Sequence, residues 1–204
     1  MHCRRLVAVL MFGALFQQAD LRALILSLAA PDMERALALA RSSDAARARF
    51  HARYVVDVHA PAVEYFTVEQ LEIITEFRRL ELIGEDHARL NDLFARAGLR
   101  DAQEALRPWR GHVSLVAHLR FDPSAYIVGV PALDLTLEDS TVLHPIEEPH
   151  RTGIYSGGDT PSLIGGLVEA VFDAQSVGQK TWPAVIAWKA RPLVRVPIDF
   201  SALE

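Results

Sequence analysis

Hydrophobic positions over residues 31–49 recur three and four residues apart, which is typical of an amphipathic helix. The apolar stripe consists of Met33, Ala36, Leu37 and Ala40. Polar residues at positions 42–44 interrupt it, so we expect two short helices rather than one. Helical spacing returns over residues 76–97, and the capping-box pattern of Asp101 and Glu104 predicts the start of another short helix.

Elsewhere, hydrophobic and polar residues alternate with a period of two, which predicts strands with one buried face. The predicted strands cover residues 50–58, 113–121, 126–130, 133–137, 168–172, 184–188 and 194–200. Residues 68–75 fit neither period cleanly, and we predict a strand there too. The last two strands are separated by the short segment 189–192, which predicts a hairpin.

This order of elements predicts an α+β protein. We expect a helical amino-terminal segment followed by an antiparallel β-sandwich, immunoglobulin-like or similar, in the carboxy-terminal half. The corresponding divisions are a signal segment at residues 1–30, a helical and mixed segment at 31–110, and the sandwich at 111–204.

The amino terminus has the features of a secretory signal. Arg4 and Arg5 precede an apolar run over residues 6–16, and the best pair of small residues for cleavage is Ser27 with Ala29. Eleven apolar residues are too few to span a bilayer, which needs about 20, so we predict no permanent transmembrane anchor. The alternative is an ordinary buried helix at the start of the domain, in a cytoplasmic protein.

Composition narrows the class of protein further. The 204 residues are 50% hydrophobic and 23% charged, so the chain is expected to fold around a core. Its net charge is −5, and the arginines near residues 41–53 lack interleaved aromatic residues, which argues against nucleic acid as a partner. Cys3 is the single cysteine, so no intramolecular disulfide forms.

The most suggestive polar cluster contains His144, Glu147, Glu148 and His150. Imidazoles and carboxylates bind divalent metals, so this segment is a candidate metal site. Prolines within the segment favour an extended chain that keeps the two histidines apart, and a solvated acidic loop is the alternative interpretation. The sequence contains no GxGxxG, P-loop, HExxH or EF-hand motif, and we predict no cofactor.

Two other residue pairs are candidates for function. Asp57 and His59 lie on the same side of a predicted strand and can form an acid–imidazole dyad, although both are also ordinary surface positions. Trp182 and Trp188 share a strand face and predict either an aromatic platform for a ligand or packing within the core.

The segment around Tyr155, Ser156 and Asp159 lacks core-forming residues other than the tyrosine and predicts a ligand-recognition loop. The signal-like start, the β-rich body and the lack of a recognisable catalytic motif together favour an exported binding or scaffolding module of the cell envelope. Its expected partner is another protein or an envelope component. One alternative is a metal-dependent or general-acid hydrolase using the His144–His150 cluster. Another is a cytosolic oligomeric adaptor.

Overall fold

The computed structural model describes residues 24, 27–58, 60–96, 98–158 and 160–204, and within them the chain forms five α-helices and nine strands. The helices are α1 (Ala30–Ala40), α2 (Asp44–His51), α3 (Glu76–Leu90), α4 (Arg100–Leu106) and α5 (Ala174–Val177). The strands are β1 (Val55–Asp57), β2 (Phe66–Ile74), β3 (His112–Phe121), β4 (Asp134–Glu138), β5 (Val142–Leu143), β6 (His150–Tyr155), β7 (Leu163–Asp173), β8 (Thr181–Trp188) and β9 (Arg191–Asp199).

The strands form two sheets, and neighbouring strands in both are antiparallel. One sheet has the order β1-β2-β3-β7-β6, and the other has the order β5-β4-β8-β9. The α+β class is therefore confirmed, with most of the sheet content towards the carboxyl end. An immunoglobulin-like topology is not confirmed. The helices are spread along the chain, and β2, which precedes residue 111, pairs directly with β3.

Several predicted elements are confirmed in place. The helical stripe over residues 31–49 divides into α1 and α2, and the Ser43 side chain caps α2 by accepting a hydrogen bond from the Ala46 amide. Residues 68–74 of the ambiguous segment lie in β2, and Thr75 caps α3. The last hairpin pairs β8 with β9, and its inward residues Val194 and Ile198 are buried.

The predicted strand over residues 50–58 is wrong for its first half. Residues up to His51 belong to α2, Ala52–Tyr54 form a 3-10 turn, and only Val55–Asp57 are extended. The apolar residues Phe50 and Tyr54 are four positions apart, a spacing that fits a helical turn as well as a strand. Both are buried, and their rings pack 4.8 Å apart.

Two helix boundaries and one strand also differ from the prediction. Helix α3 ends at Leu90, before Gly98, because Asn91 takes the left-handed conformation that terminates it. The capping box at Asp101 does not form, since α4 already begins at Arg100. The strand predicted at residues 126–130 is absent from this described segment, where Tyr126 is 95% exposed.

Helices α1 and α3 pack closely through Gly84. A Cβ atom added at Gly84 would lie 2.8 Å from the Cβ of Ala40 in α1, so a larger residue would push the helices apart. The apolar side of α3, with Phe77 and Leu80, joins one hydrophobic core that also includes side chains of both sheets. No helix among the described residues is long and apolar enough to cross a membrane.

The segment before α1 is part of this core. Leu24 and Leu28 are buried, the Leu28 amide donates to Glu76 Oε2 over 3.0 Å, and the Leu24 carbonyl accepts from the Gln179 side chain. Cleavage after Ala29, the site with the best small-residue pair, would remove both leucines. Leu24 and Leu28 therefore belong to the folded domain, although the predicted signal segment includes both.

We expect a chain that begins at Ala30 to be less stable than one that begins at Ala23 by about 4 kcal/mol, because two buried leucines and the bond to Glu76 are lost. Urea unfolding of the two truncated chains measures the difference. Equal free energies of unfolding would mean that residues 24–29 add nothing to the fold.

Candidate functional site

Helix α3 carries charged side chains on its buried face. Glu76 and Arg78 are buried near its start, and Glu81 and Glu85 follow one turn apart on one side of the helix. Buried charges are tolerated when they are paired and hydrogen-bonded. Most of the partners here come from α2, β2 and β3, so the tertiary fold assembles the cluster.

Glu72 of β2 is a carboxylate of this cluster that pairs with two side chains from other elements. Its carboxylate accepts hydrogen bonds from Arg78 and, over 2.8 Å, pairs with Nε2 of His118 on β3. Burial raises the pKa of the Glu72 carboxyl, but the bonds with His118 and Arg78 outweigh that effect and lower the pKa to about 2. Glu72 is therefore a stable carboxylate at neutral pH.

Glu81 and Glu85 form a second group with His51 at the end of α2. His51 Nε2 lies 2.9 Å from Glu85 Oε1 and 3.7 Å from Glu81 Oε1. The Glu81 side chain is 0% exposed, and as a carboxylate neither of its oxygens has a hydrogen-bond donor. Burial and the adjacent Glu85 carboxylate raise the pKa of Glu81 to about 8, so at neutral pH it carries a proton that Glu85 accepts.

Glu85 is the charged member of this group. Burial opposes its ionisation, but hydrogen bonds from His51 and Glu81 and the charge of Arg47 lower its pKa. Arg47 Nε lies 2.9 Å from Glu85 Oε1, and Arg89 Nη2 lies 3.1 Å from Oε2. Environments that separate the pKa values of two neighbouring carboxyl groups are typical of functional sites.

The group reaches solvent through Glu85. This residue lines a cleft of about 310 Å³ formed where α1 and α3 end. Among the other lining residues are Arg41, Arg47, His87, Arg89, Asp92 and Arg96. The His87 ring stacks on Phe94 at 4.0 Å and bonds to Asp92, which holds that side of the cleft in place.

His51, Glu81 and Glu85 have the chemistry of a small acid–base or metal-binding centre. One nitrogen and two carboxylate oxygens, one atom from each residue, all lie within 4.8 Å of one another. Such donors either share protons or coordinate a divalent cation. Within the described part of the chain, no other group of three or more potential metal ligands brings its ligand atoms this close together.

A separate apolar groove of about 750 Å³ lies where β2 begins, β3 ends and the β6–β7 hairpin turns. Its apolar lining includes Tyr65, Phe66, Phe121, Ile154, Leu163 and Ile164. Ile154 and Ile164 are exposed to solvent although both are large and hydrophobic. Pockets of this size with apolar walls are typical of small-molecule sites.

The predicted metal ligands do not come together in the structure. They are His144, Glu147, Glu148 and His150. All four are exposed, and no three of their ligand atoms form a group within 4.8 Å. His144 and Glu147 do line one shallow cleft of about 440 Å³ with residues of β4 and β8. A metal site there remains a prediction without geometric support.

The predicted aromatic platform of Trp182 and Trp188 is wrong, because both rings are buried. Trp182 donates from Nε1 to the Val177 carbonyl over 2.7 Å, and Trp188 packs edge-on against Phe66. Their role is the core packing that the sequence offered as the alternative. Asp57 is exposed and accepts from the Gln70 side chain, while its predicted partner His59 lies outside the described residues.

The predicted recognition loop lies beside the apolar groove. Tyr155 is exposed at the end of β6, and Ser156 closes the hairpin by hydrogen bonds with Ser162, a groove-lining residue. Asp159 lies outside the described residues. Tyr155 and Ser156 thus lie next to the groove without lining it, and ligand recognition by this loop stays a prediction.

Sequence reasoning missed His51, Glu81 and Glu85. Two acidic residues four apart on the predicted α3 helix were a usable indication, but such pairs usually face solvent. His51 was assigned to a strand, which placed it on the wrong element. The approach of α2 to α3 depends on packing that no local pattern encodes.

Comparisons with known proteins add no functional information. No family model and no curated protein matches the chain. One solved structure is similar, that of a novel protein of unknown function from Burkholderia pseudomallei, with 14% sequence identity, coverage of 83% of this chain and 90% of that chain, and a TM-score of 0.42.

The low pKa of Glu72 predicts a pH-dependent contribution to stability. Because the folded state favours the carboxylate, this contribution is present above pH about 4.5 and is lost as the pH falls towards 2. Glu72→Gln should lower the free energy of unfolding at pH 6 by about 2 kcal/mol, with some screening by solvent, and by much less at pH 3.

Urea unfolding at pH 6, 4 and 3 measures this difference. Glu104→Gln serves as the control, because Glu104 is 66% exposed and forms only a surface pair with Arg107. A Glu72→Gln effect of the same size at every pH would contradict the assignment.

Proposed function

We propose that the protein is an exported binding module of the cell envelope and that it binds an apolar ligand, or an apolar part of an envelope component, in the groove at the β6–β7 hairpin. The observation that carries this proposal is the groove itself. It offers apolar walls and a volume of about 750 Å³, in the range of small-molecule sites.

Exposed hydrophobic side chains near the groove support a binding role. Ile154 and Ile164 line it, and Tyr155 follows Ile154 on the same strand. Large exposed apolar side chains that cluster, rather than occur singly, mark binding surfaces. Polar groups at the rim, including Glu69 and Arg120, already pair with each other and leave the apolar walls as the main source of affinity.

The proposal includes the packing of the two sheets as a sandwich. Phe66 of β2 contacts Trp188 of β8 with ring centroids 5.4 Å apart, and residues of both sheets belong to one core. A groove that lies against this packed core has a rigid wall, which lowers the entropic cost of binding.

We expect the protein to bind the fluorescent apolar probe N-phenylnaphthylamine, and the double variant Ile154→Asp, Ile164→Asp to bind it at least fivefold more weakly. The reason is that carboxylates in the groove would have to lose water when the probe enters. Fluorescence titration measures both affinities.

Leu93→Asp is the matched control, because Leu93 is 74% exposed and does not line the groove. Its affinity for the probe should equal that of the unchanged protein. Equal affinities for all three chains would place probe binding elsewhere and remove the groove from the proposal.

Export is the second part of the proposal and is supported by the basic residues Arg4 and Arg5 before the apolar run. Fractionation of cells producing the full chain should recover it outside the cytoplasm, and Leu10→Arg, which interrupts the run, should retain it inside. Recovery of both chains in the cytoplasm would contradict export and favour the cytosolic adaptor.

A further inference from the structure

The carboxylates buried around α3 differ in how they are satisfied. Glu72 has Arg78 and His118 as partners, and Glu76 accepts hydrogen bonds from the Leu28 and Gly111 amides. Both oxygens of Glu81 lack a donor, although this side chain is the most deeply buried of the three. A proton shared with Glu85 satisfies one of these oxygens, whereas a bound cation would replace that proton and could engage the Glu81 carboxylate directly.

The surroundings of Glu81 supply further ligands. Glu85 lies one helical turn away on the same rigid helix, and His51 presents Nε2 from the end of α2. The three ligand atoms lie within 4.8 Å of one another, so small side-chain movements would bring them to the distances of about 2.0–2.2 Å at which nitrogen and oxygen bind zinc.

We propose that His51, Glu81 and Glu85 form a binding site for one divalent transition-metal ion, Zn²⁺ or Mn²⁺. One imidazole and two carboxylates form a ligand set that suits these ions. Three protein ligands leave a further coordination position for solvent. Glu85 lines the cleft between α1 and α3, which provides the route to the site.

Three arginines compete with the ion for the same ligands. Arg89, which is largely exposed, lies 3.1 Å from Glu85 Oε2. Arg47 lies 2.9 Å from Glu85 Oε1, but its Nη atoms also bond to Asp44 and to the Ser42 carbonyl, and these partners remain when Glu85 turns to the metal. Arg78 Nη1 lies 3.1 Å from His51 Nδ1 and 3.4 Å from the His51 carbonyl oxygen. Coordination through Nε2 places the ring proton on Nδ1, so Arg78 shifts to that carbonyl oxygen.

This competition gives the proposal a distinctive test. Removal of the Arg47 charge should tighten metal binding, because Glu85 Oε1 then loses a competing cation. A purely structural cluster makes no such prediction, since it would lose an ion pair and gain nothing. Glu81→Gln and His51→Gln should weaken binding, because each removes one ligand atom.

The experiment is calorimetric titration of the full chain, stripped with EDTA, with ZnCl₂ and separately with MnCl₂. We expect one ion per chain with at least one of the two metals. For that metal, the dissociation constant should be at least tenfold higher for Glu81→Gln and His51→Gln, and lower for Arg47→Gln. Circular dichroism establishes that each variant is folded, and Glu85→Gln replaces Glu81→Gln or His51→Gln if either of these is not.

The double variant His144→Gln, His150→Gln is the matched control, because it removes two exposed imidazoles of the other candidate cluster. It should bind the ion as the unchanged chain does. The proposal is overturned if neither metal binds at millimolar concentration, if Glu81→Gln binds with unchanged affinity, or if the control loses binding.

Discussion

The carboxylate of Glu76 is the interaction on which the arrangement of the other elements depends. It accepts the Leu28 amide on one oxygen and the Gly111 amide on the other, so it joins the segment before α1, the start of α3 and the turn before β3. Buried amides need an acceptor, and the two oxygens of Glu76 supply one to each of these amides. With the first turn of α3 fixed in this way, the helical repeat decides which later side chains face α2 and β2.

The two candidate sites lie near opposite ends of β2. Strand β2 carries Glu72 near one end, where it meets Arg78 of α3, and Phe66 at the other end, where it lines the apolar groove. Six residues of strand span about 20 Å, so the polar cluster and the groove occupy different regions of one sheet. A ligand in the groove does not contact Glu81, and the two proposals can fail independently.

Local patterns predicted the elements well where one period was clear, as in the β8–β9 hairpin and the division between α1 and α2. They failed where two periods fitted equally, since Phe50 and Tyr54 suit a helix and a strand alike. They failed also for Tyr126, whose apolar neighbours suggested a buried strand in a segment that lies exposed. The Glu81 cluster required contacts between α2 and α3. The four-residue spacing of Glu81 and Glu85 indicated a shared helix face, but not that His51 would pack against it.

Hydrophobic residues near the amino terminus can belong to an export signal or to the core of the folded domain. Residues 23–30 are largely apolar, as an export signal also is, yet Leu24 and Leu28 are buried in the core. Hydrophobicity alone does not distinguish these two uses of an apolar segment. The hydrogen bonds show how this segment joins the folded domain, because the Leu28 amide and the Leu24 carbonyl are both engaged by side chains of that domain. Without the Leu28 amide, the Glu76 carboxylate would keep only the Gly111 amide as a partner, so the start of α3 would lose its link to the segment before α1.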